Sequence, residues 1–170
     1  MLWEGPKKLR VLLDRVGGLD KDPAICPETS GLYVFSLKRW EHEPTDLLYL
    51  GSGHATKDTN LRHRIGAEVA SALGFWGDVA GHGHGGWLLS KYCRANGINP
   101  FELHLGWLVL PNNICPVPCE KKLHAHHYHN QSQQLLNGPR VNACGTKTCS
   151  KRECADIAKG SSSCAHCFSF

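Results

Sequence analysis

Short apolar segments made of β-forming residues alternate along the chain with segments of helical spacing. Gly31–Leu37 and Asp46–Gly51 are two of the β-like segments, and the polar turn between them contains Pro44. They therefore predict an antiparallel pair of strands. Phe101–Leu110 alternates apolar and polar positions and predicts a third strand.

Helical spacing predicts four further elements. An N-terminal amphipathic helix carries one apolar stripe and ends at Gly17-Gly18; the stripe consists of Leu9, Leu12, Leu13 and Val16. After Asp58, apolar residues recur every four positions, at Leu61, Ile65, Val69 and Leu73. A short helix over Trp87–Asn96 is followed by Gly97, and a long helix runs from Cys119 to about Leu136. Pro116 and Pro118 introduce this last helix, and Asn137-Gly138-Pro139 terminates it.

The order of these elements predicts the fold class. Helix, strand, strand, helix, helix, strand and helix give an α+β domain, a three-stranded antiparallel sheet flanked by helices. We assign this domain to residues 1–140, and residues 141–170 to a Cys-rich tail with few large apolar groups. Such a tail requires metal, disulfides or docking to become ordered.

The composition of the chain limits which binding partners and which cellular compartment we expect for it. The 170 residues carry a formal net charge of +4, which permits a polyanionic partner such as nucleic acid without requiring one. No apolar run is long enough to span a membrane, and the N-terminus lacks the order of a signal peptide. We therefore expect a protein without membrane association inside a cell, in the cytoplasm of a bacterium or in the nucleus of a eukaryote.

The cysteines point to a metal in the tail. Nine cysteines in a reducing compartment are more often thiols or metal ligands than disulfides. Four of the five tail cysteines would suffice for a tetrahedral zinc ion; the five are Cys144, Cys149, Cys154, Cys164 and Cys167. The alternative is a set of disordered or disulfide-forming thiols, since the spacings before Cys164 are irregular.

Several short motifs occur in one order along the chain. "GLYVF" is followed by "LLYLGSG", then by "LRHRIG" with an arginine before an apolar residue, and by the Gly/His stretch "GHGHGG". "CEKKL" and "LLNGP" follow near the two ends of the last helix. Together these motifs, from Gly31 to Pro139, resemble the GIY-YIG nuclease family, although each of them alone is weak.

The resemblance implies a phosphodiesterase that uses Mg²⁺ or Mn²⁺, with Glu120 as the metal ligand. Tyr33 would position or deprotonate the attacking water, and Tyr49 would support it with hydrogen bonds. A tyrosine titrates near about pH 10, so this role needs a shifted pKa or a partner that takes the proton. Alternation along the second strand predicts that Leu48 and Leu50 form its packing face, opposite Tyr49.

The resemblance also implies a phosphate-binding arginine, because a guanidinium offers a fixed fork of donors. Arg64 precedes the apolar Ile65 as in the family, and Arg62 is the alternative in register. Many family members have a histidine or tyrosine one turn later, where this chain has Glu68. The partner of the tyrosine is then either His84 from the Gly/His stretch or Glu68 itself, and metal binding is the other role open to Glu68. The weaker candidates for the partner are His82, His63 and His54.

Other polar residues have secondary roles in this interpretation. Asn137 would support the site or cap the end of the last helix. Cys115 and Cys119, together with the histidines of His124–Asn130, have the look of metal ligands. We expect these histidines to line a DNA-facing or solvated surface rather than a second metal site.

The resulting hypothesis is an Mg²⁺-dependent endonuclease that cuts double-stranded DNA, restriction-like and acting as a homodimer on a near-palindromic target. A structure-specific repair nuclease or a homing-type nuclease is the alternative within the class. A catalytically inert, zinc-stabilised nucleic-acid-binding module is the alternative outside it.

Overall fold

The computed structural model describes residues 2–13, 27–42, 44–55, 59–75, 84–111, 113–130 and 135–137. In chain order its elements are β1 (Glu4–Lys8), α1 (Leu9–Leu13), β2 (Gly31–Ser36), β3 (Leu47–Gly53), α2 (Leu61–Ala72), α3 (His84–Ala95), β4 (His104–Val109) and α4 (Pro116–Asn130). A 3-10 turn at Pro100–Glu102 precedes β4. Within these ranges, no helix combines the length and the apolar character needed to cross a membrane.

The sheet has four strands in the order β1-β4-β2-β3, and every neighbouring pair is antiparallel. The predicted α+β class and the antiparallel pairing of β2 with β3 are therefore confirmed. The predicted strand count of three is wrong, because β1 adds a fourth strand beside β4.

β1 occupies the start of the segment predicted as a helix. Its residues are mostly polar and partly exposed, it contains Pro6, and its register with β4 shifts between Glu4 and Lys7. An edge strand tolerates a proline and an irregular register because only one side of it must pair. Within the described residues, the predicted N-terminal helix is present as Leu9–Leu13, and Val16 and Gly17-Gly18 lie outside the described residues.

The remaining elements agree with the predicted pattern apart from their bounds and the end of the last helix. That helix is α4, Pro116–Asn130, and residues 135–137 are not helical, so the prediction that it continues to about Leu136 and is terminated by Asn137-Gly138-Pro139 is wrong. α2 begins at Leu61 with Asn60 as its N-cap, whose side chain accepts a hydrogen bond from the backbone N–H of His63. α3 begins at His84, three residues before the predicted start, and Gly97 follows its end with a φ of +64°.

Helices cover both faces of the sheet. α2 and α3 pack on one face, where the buried side chains include Tyr33, Phe35, Tyr49, Leu61, Ile65, Leu89, Leu105 and Trp107. α4 lies on the other face against residues such as Leu32, Val34 and Leu50. β2, the inner strand between β3 and β4, thus contributes alternate residues to two separate cores.

One detail of β3 differs from simple alternation. Phe35 pairs with Tyr49 and Ser36 pairs with Leu47, so Leu48 is the extra residue of a bulge. Leu48 packs into the same core as Tyr49, whereas Leu47 joins Leu50 on the α4 side. The prediction that Leu48 and Leu50 share one packing face is therefore wrong, because the bulge reverses the side of Leu48.

Candidate active site

The two motif tyrosines lie side by side on the sheet face that α2 and α3 cover. Tyr33 pairs in register with Gly51, and its strand neighbour Phe35 pairs with Tyr49, which places the tyrosines on one diagonal. Their rings stack with centroids 6.2 Å apart and an interplanar angle of 25°. Both side chains are fully buried. The motifs "GLYVF" and "LLYLG" therefore bring together one compact aromatic pair.

A glycine makes room for each tyrosine ring. A methyl group on Gly51 would lie 2.4 Å from both Cζ and the hydroxyl oxygen of Tyr33. A methyl group on Gly85, in the first turn of α3, would lie 2.2 Å from Cζ of Tyr49. Real Cβ atoms do not approach other atoms so closely, so the packing of this pair requires glycine at both positions. Gly51 thus makes room for Tyr33 across the strand, and not for its neighbour Tyr49.

α2 contributes an arginine and a glutamate to the tyrosine pair. The hydroxyl of Tyr33 donates a hydrogen bond to Oε1 of Glu68 at 3.3 Å. Nη2 of Arg64, one helical turn earlier, lies 3.7 Å from the same oxygen. Arg62, the alternative in register, forms an ion pair with Glu28 at 2.9 Å. The structure therefore brings Arg64 to the tyrosines.

α3 reaches the same carboxylate from the opposite side. The backbone N–H of Gly86 donates to Oε2 of Glu68. Gly86 lies so close to α2 that a methyl group there would be 2.0 Å from the carbonyl oxygen of Glu68. Glu68, whose side chain is only 1% exposed, thus joins β2, α2 and α3 at one point.

Burial and neighbouring charges determine the protonation of this cluster. Burial raises the pKa of Tyr33 well above its ordinary value, and nearby Tyr49 and Glu68 raise it further. Burial alone would lower the pKa of Arg64, but Tyr33, Glu68 and Tyr49 outweigh that effect and raise it. At neutral pH the cluster therefore contains a buried, neutral Tyr33 hydroxyl and a charged Arg64 guanidinium, whose side chain is 33% exposed.

Glu120 lies on the other face of the sheet, in the first turns of α4. The hydroxyl of Ser52, on the α4 side of β3, donates to Oε2 of Glu120. Nε2 of His124 lies 3.9 Å from Oε1. Glu120 is buried, yet its charge contributes to the raised pKa of Tyr33. Glu120 therefore lies on the α4 side of β3, close enough for its charge to act on Tyr33.

The histidine candidates lie in different surroundings. His84 is exposed and stacks on Trp87, with ring centroids 5.5 Å apart. His63 is exposed on α2, and His82 lies outside the described residues. His54 is half-buried after β3, where burial and then the charge of Arg64 lower its pKa. The structure therefore places His54 close enough to Arg64 to feel its positive charge.

Asn137 holds the outer edge of β3. Its side-chain oxygen accepts from the backbone N–H of Leu50 at 3.3 Å, and its side-chain nitrogen donates to the carbonyl of the same residue. The backbone N–H of Leu136 donates to the carbonyl of Leu48. Residues 136 and 137 therefore act like a short piece of strand beside β3, which is a supporting position.

The candidate metal ligands outside the tyrosine cluster are placed only in part. The thiol of Cys119 is buried and donates to the carbonyl of Cys115. His124 and His127 are also buried, so the expectation of a DNA-facing or solvated surface is wrong for these two. Among the side chains described, no group of three or more His, Cys, Asp or Glu is arranged to hold a metal ion. The five tail cysteines (Cys144, Cys149, Cys154, Cys164 and Cys167) lie outside the described residues.

Sequence reasoning missed three contributors to these contacts. Ser52 lies between two glycines in "LGSG", and its contact with Glu120 depends on which side of the strand it faces. Gly85 and Gly86 read as part of a loop, whereas they form the first turn of α3. The signal that could have identified them is the adjacent pair of glycines at the start of a helical pattern, which favours close backbone packing.

Comparison of the chain with family models, with curated proteins and with solved structures found no match in any of the three.

Proposed function

We propose that this chain is a divalent-metal-dependent endonuclease of the GIY-YIG type that hydrolyses double-stranded DNA in a restriction-like manner. The observation that carries the proposal is the contact of both Tyr33 and Arg64 with the carboxylate of Glu68, with Tyr49 stacked on Tyr33. Residues from three separate motifs converge there on one partly exposed positive charge. A function that needs an anion held at a fixed point beside a hydroxyl accounts for that convergence.

Arg64 is the residue of this cluster that can reach a substrate. Its guanidinium remains charged at any physiological pH and is one-third exposed, so a DNA phosphate can approach it from solvent. A charge-assisted contact of this kind binds the phosphate and stabilises the charge that develops as the phosphorus is attacked.

Tyr33 and Tyr49 lie deeper in the protein than Arg64 and would support the chemistry from there. In the described conformation the Tyr33 hydroxyl is a buried donor, so it fixes the polar end of the cluster. To orient the attacking water, the Tyr33 hydroxyl must become accessible when DNA binds. Glu68 then accepts the hydrogen bond that this hydroxyl donates, as it does in the described conformation. Tyr49 packs flat against the Tyr33 ring and keeps the hydroxyl aligned.

Glu120 is the residue proposed to hold Mg²⁺ or Mn²⁺. Its carboxylate and the Ser52 hydroxyl are hard oxygen donors, which fit such an ion. Mg²⁺ takes only one or two protein carboxylates and completes its shell with water and substrate phosphate, so a cluster of three protein ligands is not required. When bound, the ion supplies polarisation of the phosphoryl oxygen and stabilisation of the leaving oxygen.

A second candidate function is nucleic-acid binding without cleavage, by a zinc-stabilised module. The observation that favours it is the burial of the Tyr33 hydroxyl and of Glu120, which leaves Arg64 as the accessible group of the cluster. Phosphate binding by Arg64 would remain in such a module, but hydrolysis would not.

Incubation with plasmid DNA separates the two functions. The endonuclease converts plasmid to nicked or linear product with Mg²⁺ and not with EDTA, and Glu120→Gln loses the conversion while still binding DNA. Discrete fragments indicate sequence specificity, a preference for branched DNA indicates the repair alternative, and a dimer in solution fits a palindromic target. Binding to DNA without product under any condition favours the module.

A further inference from the structure

Glu68 makes more polar contacts than a residue that only fills space. Oε1 receives the hydroxyl of Tyr33 and lies 3.7 Å from Nη2 of Arg64, while Oε2 receives the backbone N–H of Gly86. The carboxylate is almost completely buried. Burying a carboxylate is unfavourable unless such partners compensate it, so the negative charge at this position needs a reason beyond packing.

We propose that Glu68 is a positioning residue, whose carboxylate holds the Arg64 guanidinium in the orientation in which it receives the DNA phosphate. The inference rests on the proposed nuclease function. It follows from the shared oxygen: one atom fixes both the Tyr33 hydroxyl and the arginine, so their separation and direction are set together.

The contact with α3 makes this point rigid. Gly86 donates to the second oxygen and packs directly on the backbone of Glu68, so the carboxylate cannot rotate without losing a bond to α3. A guanidinium on a long, flexible side chain gains most from such a fixed acceptor, because it is then already aligned when the phosphorus is attacked. Glu68 therefore orders Arg64 before DNA arrives.

The negative charge of Glu68 also destabilises the complex with bound, uncleaved DNA. A phosphate that approaches Arg64 comes close to the Glu68 carboxylate, and two negative charges repel. Glu68 should thus weaken DNA binding slightly while it speeds the chemical step. A residue that serves only the fold would not have this signature, because its loss weakens binding and catalysis together.

Other charged or titratable groups surround this carboxylate. Tyr33 donates to it from the sheet, with Tyr49 stacked on Tyr33, and Arg64 accompanies it on α2. Half-buried His54 is coupled to Arg64, and the charge of Glu120 reaches Tyr33 from the α4 side. Glu68→Gln is therefore the informative variant, since it removes one charge from this group and keeps the size of the side chain.

The first test compares DNA binding in EDTA with cleavage in Mg²⁺. For Glu68→Gln we expect kcat to fall by about a hundredfold, the scale of a misplaced catalytic group. We expect the Kd for DNA to tighten by about two- to fivefold, the scale of one partly exposed charge pair. The tightening should disappear in the Arg64→Ala background, because it acts through the arginine. Weaker binding by Glu68→Gln, or an unchanged kcat, would overturn the proposal.

A second readout does not depend on cleavage. The negative charge of Glu68 contributes to the raised pKa of Tyr33, so alkaline titration at 295 nm should show Tyr33 ionising at lower pH in Glu68→Gln. Tyr33→Phe identifies the signal among the four tyrosines. Glu102→Gln, which removes an exposed carboxylate paired with Lys8, is the matched control and should leave the titration unchanged.

Failure of the proposed nuclease function can be distinguished from failure of the positioning role of Glu68. If wild-type protein cleaves no DNA, the nuclease function fails, and the inference for that reaction fails with it. The Arg64-dependent change in DNA affinity then still decides whether Glu68 controls the arginine. If Glu68→Gln does not fold, Glu68→Asp keeps the charge on a shorter side chain and should recover DNA binding with a lowered kcat. Full activity of Glu68→Asp would contradict a positioning role.

Discussion

The hydroxyl of Tyr33 donates to Oε1 of Glu68 at 3.3 Å, and these two residues, 35 positions apart in sequence, join β2 to α2. Both groups are buried, and the same oxygen faces Arg64. This hydrogen bond connects the tyrosine motif to the arginine motif and determines what each can do. Tyr33 is a donor at neutral pH, and Arg64 is the group that meets solvent.

Tyr33→Phe tests the energetic weight of that hydrogen bond. The substitution keeps the ring stacked on Tyr49 but leaves a buried carboxylate oxygen with one partner fewer. We expect the free energy of unfolding to fall by about 1–3 kcal/mol, measured by urea denaturation. Tyr92→Phe, on the partly exposed face of α3, is the control and should change it by less than about 0.5 kcal/mol. Equal effects of the two substitutions would show that the Tyr33 bond contributes nothing specific.

Gly51→Ala tests the close approach of β3 to the Tyr33 ring. The added methyl group would lie 2.4 Å from the ring, so the strand or the tyrosine must shift. Overpacking of this kind costs about 1–3 kcal/mol of stability, which thermal or urea unfolding measures.

The contact, and not the glycine itself, should be the cause of that loss. In the background Tyr33→Ala the ring is absent, so adding Gly51→Ala should cost clearly less than it does in the wild type. Additive effects of the two substitutions would place the strain elsewhere.

His54 should make stability depend on pH. Burial and Arg64 lower its folded pKa, whereas in the unfolded chain it titrates near about 6.5. The unfolded state therefore binds the proton first as the pH falls. His54 contributes stability above about pH 6.5, and this contribution is lost as the pH falls towards the folded pKa.

Proton NMR of the His54 ring checks this directly. The wild-type midpoint should lie below about 6.5, the value of an unperturbed histidine, and Arg64→Gln should move it upward by removing the positive charge. In urea denaturation, His54→Asn should lose less stability than the wild type between about pH 7 and pH 5. A midpoint for His54 at or above about 6.5 would contradict the half-buried surroundings of this ring beside Arg64.

The elements with a strong apolar period were predictable from the sequence. α2 and α3 follow their spacing because each buries a well-defined set of apolar side chains, and β2 and β3 are apolar runs whose residues are buried on both faces of the sheet. β1 was missed because its polar residues are recognisable as a strand only through pairing with β4, a contact almost a hundred residues away. The side of Leu48 was missed because a bulge depends on the partner strand rather than on the local sequence.

The candidate site shows the same limit. The motifs predicted which tyrosines and which arginine to consider, since their order along the chain is visible in the sequence. The sequence left Glu68 as one of two partners for the tyrosine, but it did not indicate that Glu68 also accepts from Gly86 or that Glu120 lies on the α4 face beside Ser52. These contacts form because α3 and α4 pack on opposite faces of one sheet. A local sequence pattern does not predict such packing between elements that are distant in sequence.

Metal analysis tests the proposed zinc in the tail. If four of the five tail cysteines bind zinc, the purified chain carries about one zinc per molecule, and Cys164→Ser with Cys167→Ser abolishes it. Cys93→Ser, in the buried core beside α2, is the control and should leave the zinc content unchanged. Protein that is purified without chelators and contains no zinc would rule out this role for the tail.

Cleavage of supercoiled plasmid by a matched pair of arginine variants tests the central claim most directly. Arg64 and Arg62 lie two residues apart on α2, but Arg64 faces the buried tyrosines whereas Arg62 pairs with Glu28. With Mg²⁺, Arg64→Ala should lower the cleavage rate by about a hundredfold or more, the loss that follows removal of a transition-state charge contact. Arg62→Ala should stay within about threefold of the wild type. Equal losses in the two variants, or full cleavage by Arg64→Ala, would contradict a phosphodiester-cleaving site at the tyrosine cluster.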